Sequence, residues 1–191
     1  YHNIQIMNIK DFKGSFSSLK AFIKSPAHFA YYKLREFKAT PAMRRGKLAH
    51  TLALEPNEMH EMHVLEVATR ANKEYKSAVL EFGEEKVFTA KEVQEAQGLA
   101  DAIHAHPLAG KLIREAVEVE KHLHWEEDGV SFHGYADIIG RDYIADIKIT
   151  DSDPRKVQRT VLDNLYHMQL VMYANAIWET EQKPKDLYII A

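Results

Sequence analysis

The sequence predicts an α+β chain of the α/β kind, with a mostly helical part over residues 1–117 followed by a β-β-β-α-β part over residues 118–191. Three observations predict it. The spacing of apolar residues changes from 3.6 to two near residue 118. Asp128-Gly129 separates two alternating runs, and Asp-Gly is a strong signal for a two-residue hairpin turn. After Pro154 an apolar stripe at helical spacing returns, and the chain closes on the strand-like "DLYIIA".

The elements follow in order. In "SFSSLKAFIKSPAHFAYYKL" serines stand at cap positions and Leu19, Phe22 and Ile23 recur at helical spacing. Pro26 interrupts that helix, and a second short one starts just after it. "TPAMRRGKLAHTLALEP" predicts a third, with Pro41 in the first turn and Pro56 beyond the end. Residues 57–88 carry no dominant period. Thr89 and Glu92 form a capping box ahead of "AKEVQEAQGLADAIHAH", and "PLAGKLIREA" continues as a short helix. "VEVEKHLHWEE", "VSFHGYADIIG" and "YIADIKIT" alternate as strands. "TVLDNLYHMQLVMYANAIWET" predicts one long amphipathic helix.

The 191 residues, 46% hydrophobic, suffice for one sizeable core, and a single domain over 1–191 is expected. No run approaches the roughly 20 apolar residues of a membrane span. The absence of cysteine excludes disulfides, cysteine-held zinc, iron–sulfur clusters and a thiol nucleophile. It accords with the cytoplasm, the expected location. A first residue Tyr1 and a strand that stops at Ala191 suggest a longer protein truncated at its C-terminus. Net charge is −3, but the segment from Lys10 to Lys47 carries ten basic residues against Asp11 and Glu36, a local +8. That asymmetry suits a phosphate backbone, with Arg44, Arg45 and Lys47 as candidate contacts, although charge alone fits a solvated face as well.

The alternating runs hold the chemistry. If both connections are two-residue turns, Glu127 pairs with Val130 and Gly140 with Tyr143. Glu120 then lies opposite Asp137, and Asp137 opposite Asp146. Glu118 shares the face of Glu120 and would replace it after a register slip. Lys148 falls on the Asp146 face, one pleat along. Like charges set opposite one another destabilise a sheet unless something compensates them, and a divalent cation does so. A neighbouring lysine can stabilise charge developing on a phosphate.

Asp137 followed by Asp146-Ile147-Lys148 resembles the D…(D/E)-x-K signature of the PD-(D/E)XK nuclease superfamily, whose α-β-β-β-α-β core the element order also resembles. "Gly46-Lys47-Leu48-Ala49-His50" with "Leu54-Glu55-Pro56" resembles the histidine motif of RecE-type exonucleases (exonuclease VIII). Gln169 and Tyr173 resemble the Q-x-x-x-Y motif of RecB-like and RecE-like nucleases, and "Ser17-Ser18-Leu19", "Ser25-Pro26" and "Tyr31-Tyr32" the first helices of the RecE group. The resemblance spans Ser15 to Ala191. It implies Mg²⁺, replaceable by Mn²⁺, held by His50, Asp137, Asp146 and the backbone carbonyl of Ile147. Lys148 would be the catalytic lysine and Glu120 the acidic residue of the first strand, with Gln169 and Tyr173 meeting substrate. It further implies a 5′→3′ exonuclease acting on ends of double-stranded DNA in phage-type recombination, with a single-strand annealing protein as possible partner, a possible homo-oligomeric ring, and no membrane. The alternatives are a RecB-like or restriction-type nuclease and a non-catalytic nucleic-acid-binding module.

Overall fold

The computed structural model describes residues 13–150 and 153–191, which leaves Lys10 and Asp11 of the basic segment outside the described residues. The chain divides into two compact units. The first comprises Tyr1–Glu36, Glu120–Asp146 and Ser152–Ile189, and the second Phe37–Val119, Ile147–Asp151 and Ile190–Ala191.

The first unit opens with β1 (Lys13–Gly14), α1 (Phe16–Lys24) and α2 (Pro26–Leu34). Ser15 caps α1 through a reciprocal bond with Ser18, and Ser25 ends α1 and caps α2, with Pro26 in its first turn. One serine thus does both jobs, because proline cannot continue a helix but suits the start of one. The sheet follows: β4 (Glu118–Glu127), β5 (Val130–Ile139), β6 (Tyr143–Ile147) and β7 (Asp186–Ile190). Its order is β1-β5-β6-β7, with β4 also paired to β5, and β1 runs parallel to β5.

Both predicted hairpins form. Asp128 (φ 51°) and Gly129 (φ 74°) both take positive φ, as a type I′ turn requires. Trp125 stacks on Phe132 at 5.5 Å and His122 on Tyr135 at 4.5 Å between ring centres, the pairs of the expected register. In the second hairpin the ladder pairs Ile139 with Ile144 and Ile138 with Ala145, so Asp137 and Asp146 are the next residues along it.

The single helix expected after Pro154 is instead two, α7 (Val157–Asp163) and α8 (Tyr166–Glu181). Leu165 sits between them at φ 58°, in the left-handed region. The Asn164 side chain donates to Thr160 O at 3.0 Å and accepts from Lys20 Nζ at 2.9 Å, which holds the break in place. Apolar periodicity runs across the break unchanged, so it carried no warning. Along α8, Leu170, Tyr173, Ala176 and Ile177 pack with Leu123, Ala136, Ile139 and Ile144 of the strands, the i, i+3, i+4 stripe of a helix laid on a sheet.

The second unit holds α3 (Pro41–Leu54), β2 (His63–Leu65), α4 (Lys73–Phe82), β3 (Val87–Thr89), α5 (Ala90–Ala105) and α6 (Pro107–Arg114). The aperiodic stretch 57–88 thus contains a 3₁₀ turn (Pro56–Glu61), a helix and two strands that pair in parallel with each other. Strands of three residues are too short for alternation to register. Thr89 and Glu92 form the expected capping box of α5, and buried Ala96 and Ala100 let α5 approach α3, which buries Leu48, Ala49, Leu52 and Ala53. No helix among the described residues is long and apolar enough to cross a membrane.

Candidate active site

In the first unit, strands and helix α8 carry Glu120, Asp137, Asp146, Gln169 and Tyr173. Asp146 is 1% exposed and Asp137 8%, near the ends of strands whose neighbours Ile138, Ile144 and Ala145 are fully buried. Glu120 is half-buried and takes φ 47°, a left-handed residue inside β4, which locally breaks the alternation of that strand. Glu118, its alternative, is exposed. Carboxylate oxygens of Glu120 and Asp137 lie within 4.8 Å of one another. Oxygen ligands sit 2.0–2.6 Å from Mg²⁺ or Ca²⁺, so two carboxylates at that separation can share one hard dication, which also offsets the cost of burying like charges together.

Tyr173 borders these acids. Its hydroxyl accepts from Gln169 Nε2 at 3.1 Å, so the residues of the Q-x-x-x-Y spacing meet one turn apart. Burial pushes the phenol above its usual pKa, the Gln169 hydrogen bond opposes this, and the charges of Asp146 and Asp137 push it further up. The residue therefore remains a neutral phenol, able to donate. Its ring lies on the backbone of Gly134: a Cβ there would meet Tyr173 Cε1 at 2.5 Å and its oxygen at 2.7 Å. Sequence reading passed over Gly134. The signal was a lone glycine inside a strand-like run, which marks a close approach by another group.

The second unit holds His50, Ile147, Lys148, Arg44, Arg45 and Lys47. His50 lies on the half-buried side of α3, and its Nε2 donates to the carbonyl oxygen of Ile147 at 2.9 Å. Ile147 is bonded to Asp146. Lys148 follows the strand directly; its amide donates to Ile190 O at 2.7 Å, which fixes the backbone from which its half-buried side chain departs.

The basic residues of α3 differ in burial. Arg44, expected to meet phosphate, is 4% exposed. Its guanidinium donates to Glu84 Oε1 (2.6 Å), Tyr75 Oη (3.1 Å) and Val87 O (2.7 Å) and lies over the Phe88 ring. A planar guanidinium can reach several acceptors at once, and these bonds turn Arg44 inward, toward the fold. Arg45 is half-buried, and Lys47 is exposed.

The model of a family described as a PDDEXK-like domain of unknown function (DUF3799) matches residues 15–191. No curated protein matches the chain.

Proposed function

The chain belongs to the DUF3799 family of PDDEXK-like domains, and from that premise we propose that it is a Mg²⁺-dependent deoxyribonuclease that degrades linear double-stranded DNA from its ends. The observation that carries the reading is the acidic set itself. Glu120 and Asp137 bring carboxylate oxygens within 4.8 Å, and the next step along the ladder from Ile138 and Ala145 reaches Asp137 and Asp146. The carboxylate oxygens suit Mg²⁺, and His50 is proposed as a nitrogen ligand on the resemblance of its "GKLAH" segment to the histidine motif. A bound Mg²⁺ would supply Lewis-acid polarisation of a phosphoryl oxygen and a more acidic water.

The protein's own groups do the rest. Lys148 offers an ammonium to the charge that develops on the cleaved phosphate, an interaction strongest in the transition state. Gln169 holds the Tyr173 hydroxyl in one orientation, and the neutral phenol is a donor to the substrate backbone. Exposed Lys47 supplies phosphate affinity. The 5′→3′ polarity, the role in phage-type recombination beside a single-strand annealing protein, and a homo-oligomeric ring extend this reading on the RecE resemblance of the "GKLAH" segment.

Digestion of end-labelled linear duplex beside covalently closed circles tests end dependence. Loss of the linear substrate with survival of the circles is expected. Asp146-dependent nicking of circles would assign the chain to a restriction-type activity instead. Binding without cleavage in Mg²⁺ or Mn²⁺ would leave a non-catalytic module.

A further inference from the structure

Away from the carboxylates, the β4–β5 hairpin gathers three imidazoles on one face. His122 and His124 alternate along β4 and so project from the same side. The register that stacks His122 on Tyr135 and Trp125 on Phe132 sets His133 across from His124. Ring centres of His122 and His124 are 4.2 Å apart, and each is 6.2 Å from that of His133.

The ring nitrogens of the three histidines do not all lie within 4.8 Å of one another, but the ring spacing is close to that of a common ligand. A tetrahedral ion bonded to imidazole nitrogens at about 2.0–2.1 Å holds the ring centres roughly 5 Å apart. The three rings are within about an ångström of that spacing. His122 and His124 are exposed, so their side chains can turn toward an ion with no core to repack, while half-buried His133 is the fixed member. Burial, then the positive charges of His122, His124, Lys33 and Lys13, lower the pKa of His133. The same lysines repel a cation and so limit its affinity. Three nitrogen donors favour the later first-row metals over Mg²⁺, which prefers oxygen.

We propose that His122, His124 and His133 form a second metal site, for one dication of the zinc or nickel class, separate from the carboxylates of Glu120 and Asp137. An ion there ties β4 to β5 two residues from Glu120 and four from Asp137, clamping the hairpin that carries both acids. The site does not depend on the nuclease reading, since an inactive protein would bind the ion equally well.

The test titrates Ni²⁺, then Zn²⁺, into the protein without a polyhistidine tag, by calorimetry, with excess Mg²⁺ present to occupy oxygen sites. One ion per chain is expected. His124→Ala and His133→Ala should each weaken it about tenfold or more, whereas Glu120→Gln should change it less than about twofold. His124 is exposed, so its replacement leaves the fold intact, which circular dichroism checks. Absence of binding to the wild type, unchanged affinity in His124→Ala, or equal loss in Glu120→Gln would overturn the assignment.

Discussion

Gly134→Ala should destabilise the protein even though alanine normally suits a strand better than glycine. Where the backbone accepts alanine, the substitution gains about 0.4–1 kcal/mol by restricting the unfolded chain. Here the new Cβ meets Tyr173 Cε1 at 2.5 Å, its oxygen at 2.7 Å and Cζ at 2.8 Å. All three atoms belong to one rigid ring, 4% exposed and packed among Leu123, Ala136 and Leu170. Restoring ordinary contact requires a shift of about 1 Å, and overpacking of this kind costs about 1–3 kcal/mol. The net loss is about 1–2 kcal/mol, or about 2–8 °C in Tm for a chain of this length. Urea titration measures it, and a double-mutant cycle assigns it. Tyr173→Ala alone should cost about 3–5 kcal/mol, but in that background Gly134→Ala becomes neutral or stabilising, a coupling of about 1–3 kcal/mol. Equal cost of Gly134→Ala with and without the ring would refute the reasoning.

Arg44 and Lys47 should separate stability from binding. Arg44→Met removes three buried donor contacts, although Tyr75 Oη keeps its own bond to Val87 O, and should cost about 1–3 kcal/mol without changing the salt dependence of DNA binding. Lys47→Ala should leave stability within about 0.5 kcal/mol and flatten that salt dependence by about one counterion, read by fluorescence anisotropy. Lys148→Met should lower single-turnover cleavage at least about 100-fold while DNA affinity stays near normal. Because the folded pKa of Tyr173 lies above its unfolded value, its contribution is complete below pH about 10 and is lost as pH rises through the folded value. Urea midpoints measured without divalent ions should therefore fall more steeply above pH 10 for the wild type than for Tyr173→Phe.

Much of the first unit was legible because a two-residue turn fixes register. Asp128-Gly129 announced the first hairpin, and once its pairing was set, the neighbourhood of Glu120 and Asp137 followed by counting. Counting could not reveal that Glu120 turns to φ 47°, since nothing in "VEVEKHL" distinguishes a left-handed residue from an extended one. The break at Leu165 was hidden for a related reason: apolar spacing reports which face is buried, not whether the backbone is continuous. Arg44 shows the limit of reading charge. "MRRGK" offers three cations, and only the fold reveals that the first reaches Tyr75, Glu84 and Val87, each more than thirty residues away in sequence. The His122, His124 and His133 group lay open to the same register arithmetic that found the carboxylates.

The central claim is that a dication held at the acidic residues hydrolyses phosphodiester bonds. Release of labelled nucleotide from linear duplex DNA by wild type and Asp146→Asn, in Mg²⁺ and in EDTA, measures it most directly. Asp146 is 1% exposed, so circular dichroism accompanies the assay to show that the variant is folded. The account predicts Mg²⁺-dependent release by the wild type, abolished by EDTA and lowered at least about 1,000-fold in Asp146→Asn, with DNA affinity kept within a few-fold. Near-normal release by folded Asp146→Asn, or release by the wild type that survives EDTA, would contradict it.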